Sequence, residues 1–325
     1  MPPGTKGEEA APAEVGTEKK ESAEKPPDIT ALTDQGGILL HKGQLVLTPA
    51  AEYTRSSATT VQVQGLDIVP SINIGLFDIS KVNQDIYTQS MDLLYGVTNR
   101  WEFEVKVPYV ERTDSTLSRP AGSSNSDTLF TASGRSIGDV EFAGHYQINT
   151  GQNGWPFLIG NLRFKTATGT SPYTIPVNDS GAASRSPTGS GFYALQPSIT
   201  AIYPSDPVVF YGNAGYLHNF ERSFPTTGTL NPGDSVNASF GMSFALNDKA
   251  SWSLGYSHTT VMRPTENGAS VPNTGILQVG TLDLGYSYNI SDKTSLNFLV
   301  SAGVTSDAPD IHLTFRVPMT YDLWH

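Results

Sequence analysis

The sequence predicts an all-β fold, a closed antiparallel transmembrane β-barrel of 12–14 strands, with 14 favoured. Apolar and polar residues alternate along many segments, short and long connections alternate between those segments, and no apolar run reaches the length of a membrane-spanning helix. Transmembrane strands need about 9–11 residues, whereas strands of soluble proteins average about five or six. The alternating segments of this chain have the longer, membrane-spanning length.

Residues 1–36 are predicted to be a disordered, acidic and proline-rich tail, and 37–325 to be the barrel. Up to Gln35 the chain holds eight acidic residues and four lysines, a net charge of −4, and few apolar residues. The opening MPPGTKGEEA is polar and shows no signal-peptide pattern. As an alternative to disorder, the tail becomes ordered against a periplasmic partner.

The overall composition excludes several classes of function. A net charge of −11 argues against nucleic acid as a partner. The chain has no cysteine, which excludes disulfides and thiolate chemistry. Glycine and tyrosine are abundant and charged residues make up only 16%, a composition that suits strands and turns.

Period-two alternation marks each strand in turn. In RWEFEVKVPYVER (100–112), apolar Trp101, Phe103 and Val105 alternate with charged residues, and VNASFGMSFALN (236–247) alternates in the same way. If 59–79 is a single bent strand, the count falls to twelve. The fourteen predicted strands are 44–54, 61–69, 72–79, 84–95, 101–111, 137–148, 156–166, 191–203, 208–220, 235–247, 250–262, 275–290, 294–305 and 310–323.

The connections fall into two groups that alternate along the chain. Short turns at one end of a barrel and long loops at the other are typical of bacterial outer-membrane barrels. The predicted short turns are 96–99, 150–154, 204–206, 247–249 and 291–293. The predicted long loops are 113–136, 168–190, 222–233 and 263–274, with a shorter one at 306–309.

A membrane barrel has its apolar residues outside and its polar residues inside. Tyrosine and tryptophan near strand ends are expected to form girdles at the two membrane interfaces. The predicted girdle residues are Trp101, Tyr109, Trp155, Tyr193, Tyr203, Trp252, Tyr256, Tyr286, Tyr288, Tyr321 and Trp324.

The opposite face of the same strands is expected to line a hydrated interior. Because a buried, unpaired charge is costly, the acids on two neighbouring strands are expected to pair with bases on a third. The predicted lumen-lining residues are Asp92, Glu102, Glu104, Lys106, Asp139, Glu141, His145, Asn161, Arg163, Lys165, Asp283, His312 and Arg316.

No enzyme signature is found in the sequence. Ser257 and His258 are adjacent on a predicted strand and therefore point to opposite faces, which excludes a direct nucleophile–base pair. His145 is spaced by about 13 Å from Glu141 and about 20 Å from Asp139 along one strand, too far for one metal ion. We therefore expect no catalytic residue, no metal and no cofactor.

Two stretches resemble a known family. In DQGGILLHKGQLVLTPAAEYTRSS, the residues that carry the resemblance are Gly36, Gly37, Lys42, Gly43, Pro49 and Tyr53. In LLYGVTNRWEFEVKVPYVER, they are Tyr95, Gly96, Thr98, Asn99, Arg100, Val107, Pro108 and Tyr109. The chain is similar to the bacterial outer-membrane "transporter" proteins described as meta-pathway of phenol degradation-like. This resemblance implies a Gram-negative outer-membrane barrel that passes small hydrophobic or aromatic molecules.

Three functions follow from these predictions. The leading one is an outer-membrane channel for passive passage of small solutes, with lipid and small solutes as its partners. The alternative is a non-transporting structural, adhesive or scaffolding barrel that acts through loops 113–136 and 168–190. The third is a soluble all-β protein with the apolar face as its core.

Overall fold

The structure of this protein is a computed structural model. It describes residues 39–57, 62–64, 67–69, 77–120, 128–151, 154–176, 183–205, 207–225, 227–271 and 274–323. The tail predicted at 1–36 lies outside the described residues, so its disorder and its periplasmic partner stay predictions. No helix of the described residues is long and apolar enough to cross a membrane, which says nothing about strands that do so.

The described chain is built almost entirely of strands, with one 3-10 turn at Pro172–Thr174. In chain order the strands are β1 (Gln44–Ser56), β2 (Gln62–Gln64), β3 (Asp67–Val69), β4 (Phe77–Thr98), β5 (Trp101–Pro120), β6 (Thr128–Ile137), β7 (Glu141–Gln147), β8 (Phe157–Lys165), β9 (Ala194–Ser205), β10 (Val208–Asn219), β11 (Arg222–Phe224), β12 (Gly228–Asn231), β13 (Ser235–Ala245), β14 (Ala250–Val261), β15 (Thr265–Glu266), β16 (Ala269–Ser270), β17 (Leu277–Ser291), β18 (Thr294–Gly303), β19 (Ile311–Arg316) and β20 (Met319–Asp322).

Fourteen of these segments form one antiparallel sheet that closes on itself. β1 pairs with β4 on one side and with β19 and β20 on the other, which closes the ring. β6 and β7 pair with successive parts of β5, and β19 and β20 pair with successive parts of β1. Each of these two pairs of segments is therefore one interrupted strand, so the wall has twelve strands. The predicted closed antiparallel barrel of 12–14 strands is confirmed.

The two faces of the wall differ as the alternation predicts. Phe103, Phe240 and Phe298 are 52%, 64% and 50% exposed on the outside. Asp92 and Glu102, on the opposite face of their strands, are only 7% and 4% exposed. The apolar side chains therefore cover the exterior, where hydrocarbon would contact them, and do not form the core of a soluble sandwich.

The segment predicted as a strand at 61–69 differs from the prediction. β2 and β3 pair with each other, Val63 opposite Ile68, in a two-stranded sheet separate from the barrel. Alternation has the same period in one long strand and in two short strands joined by a turn, so it does not reveal the reversal. Of the strand predicted at 72–79, only 77–79 are described, and they begin β4.

The loop predicted at 113–136 is mostly strand. β4 and β5 pair as far as Phe77 opposite Pro120, and β5 continues to pair with β6. The partner of β4 on its other side, β1, reaches only Ser56, opposite Gln84. β4, β5 and β6 therefore extend beyond their neighbours as a three-stranded projection. A strand beyond the bilayer needs no apolar face, which is why the hydrophobic pattern did not reveal it.

The predicted asymmetry of the two barrel ends is present. The five short turns follow β4, β7, β9, β13 and β17, and the long connections lie at the opposite end. Two of the long connections contain short strands of their own. β11, β12, β15 and β16 form a separate four-stranded sheet at that end.

The exposed apolar exterior generates a stability prediction. Replacing Phe240, at the centre of β13, with arginine should destabilise the barrel in lipid vesicles by about 2–4 kcal/mol, because arginine is costly at the bilayer midplane. The matched variant Val236→Arg, near the strand end, should cost about 0–1 kcal/mol. Denaturant unfolding in vesicles measures both, and equal costs would contradict a membrane-embedded exterior.

Candidate functional site

The inner face of the barrel carries an ionic network that crosses intervening strands. Lys106 Nζ on β5 lies 3.2 Å from Glu52 Oε1 on β1, although β4 separates the two strands. Both side chains are largely buried, 20% and 9% exposed, on the face of the wall opposite the exposed Phe103. The network therefore lies inside the barrel. His312 on β19 lies 3.9 Å from the same Glu52 carboxylate and hydrogen-bonds Thr54 at 2.7 Å.

A second part of the network links β5, β7 and β8. The Arg163 guanidinium lies 2.8 Å from the Glu141 carboxylate and 3.5 Å from that of Glu104. His145 contacts Glu104 at 3.1 Å and Asn161 at 2.8 Å through its two ring nitrogens. The sequence predicted that acids on two neighbouring strands would face bases on a third, and the structure brings these side chains together in that way.

Three further predicted residues, Asp92, Glu102 and Arg316, also face inward. Asp92 lies opposite Lys106 in the strand register and is almost fully buried. Glu102 accepts a hydrogen bond from the backbone N–H of Leu40 at 2.9 Å, which ties it to the segment before β1. Arg316 lies on β19, opposite Ala50 of β1.

Asp139 and Lys165 do not face an open interior as the sequence predicted. Their side chains are each 1% exposed, and Lys165 Nζ lies 3.7 Å from Asp139 Oδ2. The Asp139 carboxylate also accepts hydrogen bonds from the backbone N–H groups of Gly169 and Ser190 and from the Ser190 hydroxyl. The described parts of the connection 166–193 fold over the pair and bury it, an arrangement that strand periodicity does not report.

The same connection helps to build an apolar cluster at the long-loop end. Phe192 packs against Phe224 and Leu230, with Tyr173 beside them. Burial raises the pKa of Tyr173 to about 12, so its phenol stays neutral at physiological pH. Because β12, which carries Leu230, also pairs with β15, three long connections are joined at this end.

At the short-turn end, the segment before β1 reaches the opposite side of the barrel. Leu39 packs against Ile159 on β8, Ile202 on β9 and Val209 on β10. These strands lie about half-way around the ring from β1. Phe157 and Tyr211 pack against the same cluster. The segment before β1 and the connection 166–193 therefore each occupy part of the interior, at opposite ends of the barrel.

The remaining half of the inner wall is almost free of charge. On β9, β10, β13, β14, β17 and β18, Asp283 is the only Asp, Glu, Lys or Arg. Asp283 accepts hydrogen bonds from Ser257 at 2.7 Å and from Thr281 at 3.1 Å. A neutral network runs from Asn161 through Thr200 and Asn213 to Asn237, with distances of 2.8–3.1 Å. We call these six strands the neutral wall and the other six wall strands the charged wall.

The predicted girdle residues within the described chain point outward. Most of them lie toward the short-turn end of their strands, with Trp155 the most exposed at 67%. Trp324 lies outside the described residues. At the other end, Tyr53 was not among the predicted girdle residues; its ring lies 4.8 Å from that of Tyr87, tilted by 33°, and its hydroxyl donates to Asp85. Their place on the apolar face of β1 and β4 is the signal that identifies them.

Ser257 and His258 have opposite orientations, as their adjacency predicts. The Ser257 hydroxyl binds Asp283 on the inner face, whereas His258 contacts Tyr256 and Gln278. Within the described ranges, no group of three or more His, Cys, Asp or Glu residues is arranged to hold a metal ion. The inner surface offers charges, amides and hydroxyls for transient contacts with a solute.

The sequence analysis also missed inner-face residues. Glu52 and the buried pair of Arg112 and Asp114, 2.8 Å apart, follow the same inward alternation as the residues that it selected. Leu39 and Tyr211 carry no comparable signal, because their contacts join distant parts of the sequence.

The network of Arg163 generates a second stability prediction. Arg163→Gln should cost about 1.5–3 kcal/mol, because it leaves two mostly buried carboxylates without their cation. Combining it with Glu104→Gln and Glu141→Gln should recover part of that loss. The matched exposed-pair variant Lys293→Gln, which removes the cation beside Asp322, should cost about 1 kcal/mol or less. Equal effects of the two single variants in denaturant unfolding would show that the Arg163 network is not structural.

Comparison with solved structures gives the same fold. An outer-membrane channel from Pseudomonas putida F1 superposes with a TM-score of 0.60 at 13% identity, over 88% of this chain and 98% of the channel. The translocator domain of the autotransporter NalP from Neisseria meningitidis superposes with a TM-score of 0.50 at 12% identity, over 90% of this chain and 92% of that domain. At these identities the likeness shows a shared outer-membrane barrel fold.

Residues 58–317 match the family described as "MetA-pathway of phenol degradation". The match spans most of the barrel, from before β2 to just after β19. This chain, an outer-membrane β-barrel by its fold and its apolar exterior, therefore belongs to the MetA-pathway of phenol degradation family.

Proposed function

We propose that this protein is a channel for the passive passage of small solutes across the bacterial outer membrane. The observation that carries the proposal is the inner surface, which is polar on both the charged and the neutral wall, inside a barrel whose exterior is apolar. A polar interior of this kind holds water, and a closed wall separates that water from lipid.

The arrangement of the chain at both ends of the barrel favours the passage of small solutes over large ones. Leu39 packs on the far wall at the short-turn end, and the connection 166–193 is tied down by Asp139 at the other. Chain inside the barrel reduces the cross-section left for a solute. We therefore infer that large oligosaccharides and folded domains do not pass.

Hydrophobic or aromatic compounds are the solute class that we propose. The family is named for phenol degradation, and the superposed Pseudomonas putida F1 protein is described as an outer-membrane channel. Small aromatic molecules with a polar substituent suit an interior that combines amides and hydroxyls with the ring of Tyr211. We propose no enzymatic activity, and the opposite orientations of Ser257 and His258 support that.

Uptake by cells tests this proposal. A Gram-negative strain without general porins should accumulate radiolabelled benzyl alcohol faster when it produces this protein than when it carries an empty vector. Purified protein in liposomes should also allow swelling with arabinose and much less with raffinose, because the occupied interior limits size. If the protein, shown to be folded by heat-modifiable migration, changes neither rate, the channel proposal is wrong.

The buried Asp139 gives a prediction for conductance. Asp139→Asn weakens the hydrogen bonds that hold connection 166–193 and removes the carboxylate beside the buried Lys165 ammonium, at a cost of about 3–5 kcal/mol. We expect larger and more variable single-channel currents in planar bilayers. The double variant Asp139→Asn/Lys165→Met should recover stability but keep the loosened connection. Currents identical to those of the unaltered protein would show that this connection does not limit the path.

A second candidate function rests on the projection of β4, β5 and β6. These strands pair well beyond the end of β1, so they extend the barrel into the space on the long-loop side. A surface or adhesive role would use this projection rather than the interior. Shortening 113–131 should then abolish binding to a surface partner without changing solute uptake, whereas a change in uptake alone would favour the channel.

A further inference from the structure

One row of residues across the neutral wall contains the single charge of that wall. Tyr211 on β10 lies opposite Gly241 on β13, Gly241 opposite Gly255 on β14, and Gly255 opposite Asp283 on β17. Partners in an antiparallel register share a face of the sheet, so all four lie on the inner surface. Two glycines therefore separate a tyrosine from an aspartate along this row.

The Tyr211 side chain lies flat over these two glycines. A β-carbon at Gly255 would lie 2.6 Å from the Tyr211 hydroxyl oxygen, and a β-carbon at Gly241 would collide with the same atom. At Gly255 the tyrosine is the only group closer than 3.0 Å. Glycine at these positions is what allows the ring to rest on the wall.

This orientation carries the hydroxyl toward Asp283. Neighbouring strands are about 4.8 Å apart, so a hydroxyl above Gly255 lies within about one strand spacing of the Asp283 backbone. No described residue forms a hydrogen bond with the Tyr211 hydroxyl, and no described lysine, arginine or histidine forms an ion pair with Asp283. Asp283 is half-buried and accepts from Ser257 and Thr281, which leaves acceptor capacity in its two oxygens.

The charged wall offers no equivalent place. Its carboxylates Glu52, Glu104 and Glu141 are already matched by Lys106 and Arg163, whose long side chains extend across neighbouring strands. The carboxylate of Asp92 is not paired in this way, but Asp92 is only 7% exposed, which keeps a solute from it. Between Asp283 and Tyr211 the row has only glycine, and on its other side Asp283 lies opposite Ser301, so its register neighbours carry no long side chain. A solute that passes there meets Tyr211 and Asp283 together.

We propose that Tyr211 and Asp283, on the floor formed by Gly241 and Gly255, are a solute-binding site inside the barrel. The site takes small molecules that carry a hydroxyl or amino donor and no negative charge. The donor binds the Asp283 carboxylate, the Tyr211 hydroxyl donates to an acceptor on the solute, and a flat solute ring stacks on the Tyr211 ring that lies over the two glycines. Carboxylates are rejected by the Asp283 charge. This inference deepens the proposed channel function and rests on it.

A binding experiment tests the site without requiring transport. The full chain is labelled with 3-fluorotyrosine in detergent, and the Tyr211 resonance is identified as the one absent from Tyr211→Phe. Benzyl alcohol should shift this resonance more than that of the outward-facing Tyr203, and benzoate should not. In Asp283→Asn, benzoate should shift it as well, because the repelling charge is gone.

Equal shifts of Tyr211 and Tyr203 by benzyl alcohol would overturn the proposal, since that result describes partition into the detergent. Equal shifts by benzoate and benzyl alcohol in the unaltered protein would also overturn it. Because this measurement reports binding alone, a protein that binds here but passes no solute would contradict the channel function and not the site.

A transport experiment tests the glycine floor. Gly255→Ala should displace the Tyr211 ring into the interior and slow arabinose-driven swelling of proteoliposomes several-fold. Adding Tyr211→Ala to that variant should restore the rate, since the displaced ring is then absent. The matched control is Gly212→Ala, whose β-carbon would meet its nearest atom, the Ser239 carbonyl oxygen, at an ordinary 3.5 Å on the outer face.

The unaltered rate in Gly255→Ala, or a slow rate that Tyr211→Ala fails to restore, would overturn the role of the ring. Heat-modifiable migration verifies that each variant is folded. If Gly255→Ala does not fold, the comparison of Tyr211→Phe with the unaltered protein replaces it. That variant keeps the ring and removes only the hydroxyl, so it should keep the arabinose rate, and a slowed rate would overturn the role of the ring.

Discussion

Closure of the sheet is the constraint on which the rest of this structure depends. In hydrocarbon, every backbone N–H and C=O must be paired within the protein, and an open sheet leaves two edges without partners. Here the ring closes where β1 pairs with β19 and β20. Once the wall is closed, each strand has one face toward lipid and one toward the interior, and the alternation of the sequence follows from that geometry. The ion pairs of Lys106 with Glu52 and of Arg163 with Glu104 join inward side chains of strands that are not neighbours in this closed wall.

Much of this architecture could be predicted from the sequence because it is local. Alternation identified Phe103, Phe240 and Phe298 as outward and Glu104 and Arg163 as inward, since period two needs no knowledge of the partner strand. Alternation failed to predict segments that have no apolar face and contacts between residues that lie far apart in the sequence. β5 beyond the bilayer has no apolar face to detect, and β2 and β3 alternate like one strand although the chain reverses between them. The burial of Asp139 depends on a connection that begins 27 residues later along the chain, and the row from Tyr211 to Asp283 depends on the register of four strands.

The interior separates charge from neutral polarity. Ion pairs lie on the charged wall, where long side chains reach across strands to satisfy one another. The neutral wall is satisfied by short hydroxyl and amide side chains such as Thr200 and Asn213. A paired charge is costly to disturb, whereas a hydroxyl or amide can exchange one hydrogen-bond partner for another at little cost. The neutral wall is therefore the side of the barrel along which a solute can move with the smaller energetic barriers.

The seam of the barrel joins residues from opposite ends of the chain. Gln44 and Asp322 hydrogen-bond across it at 3.0 Å, although 278 positions separate them in sequence. In this wall, a piece of the chain that lacks β1 or the segments β19 and β20 would leave strand edges unpaired, which is costly inside a bilayer. The pairing of β1 is complete only when β19 and β20, the last strands of the chain, are present. The molecule behaves as one cooperative unit, unlike repeat proteins, in which each module is stabilised mainly by its nearest neighbours.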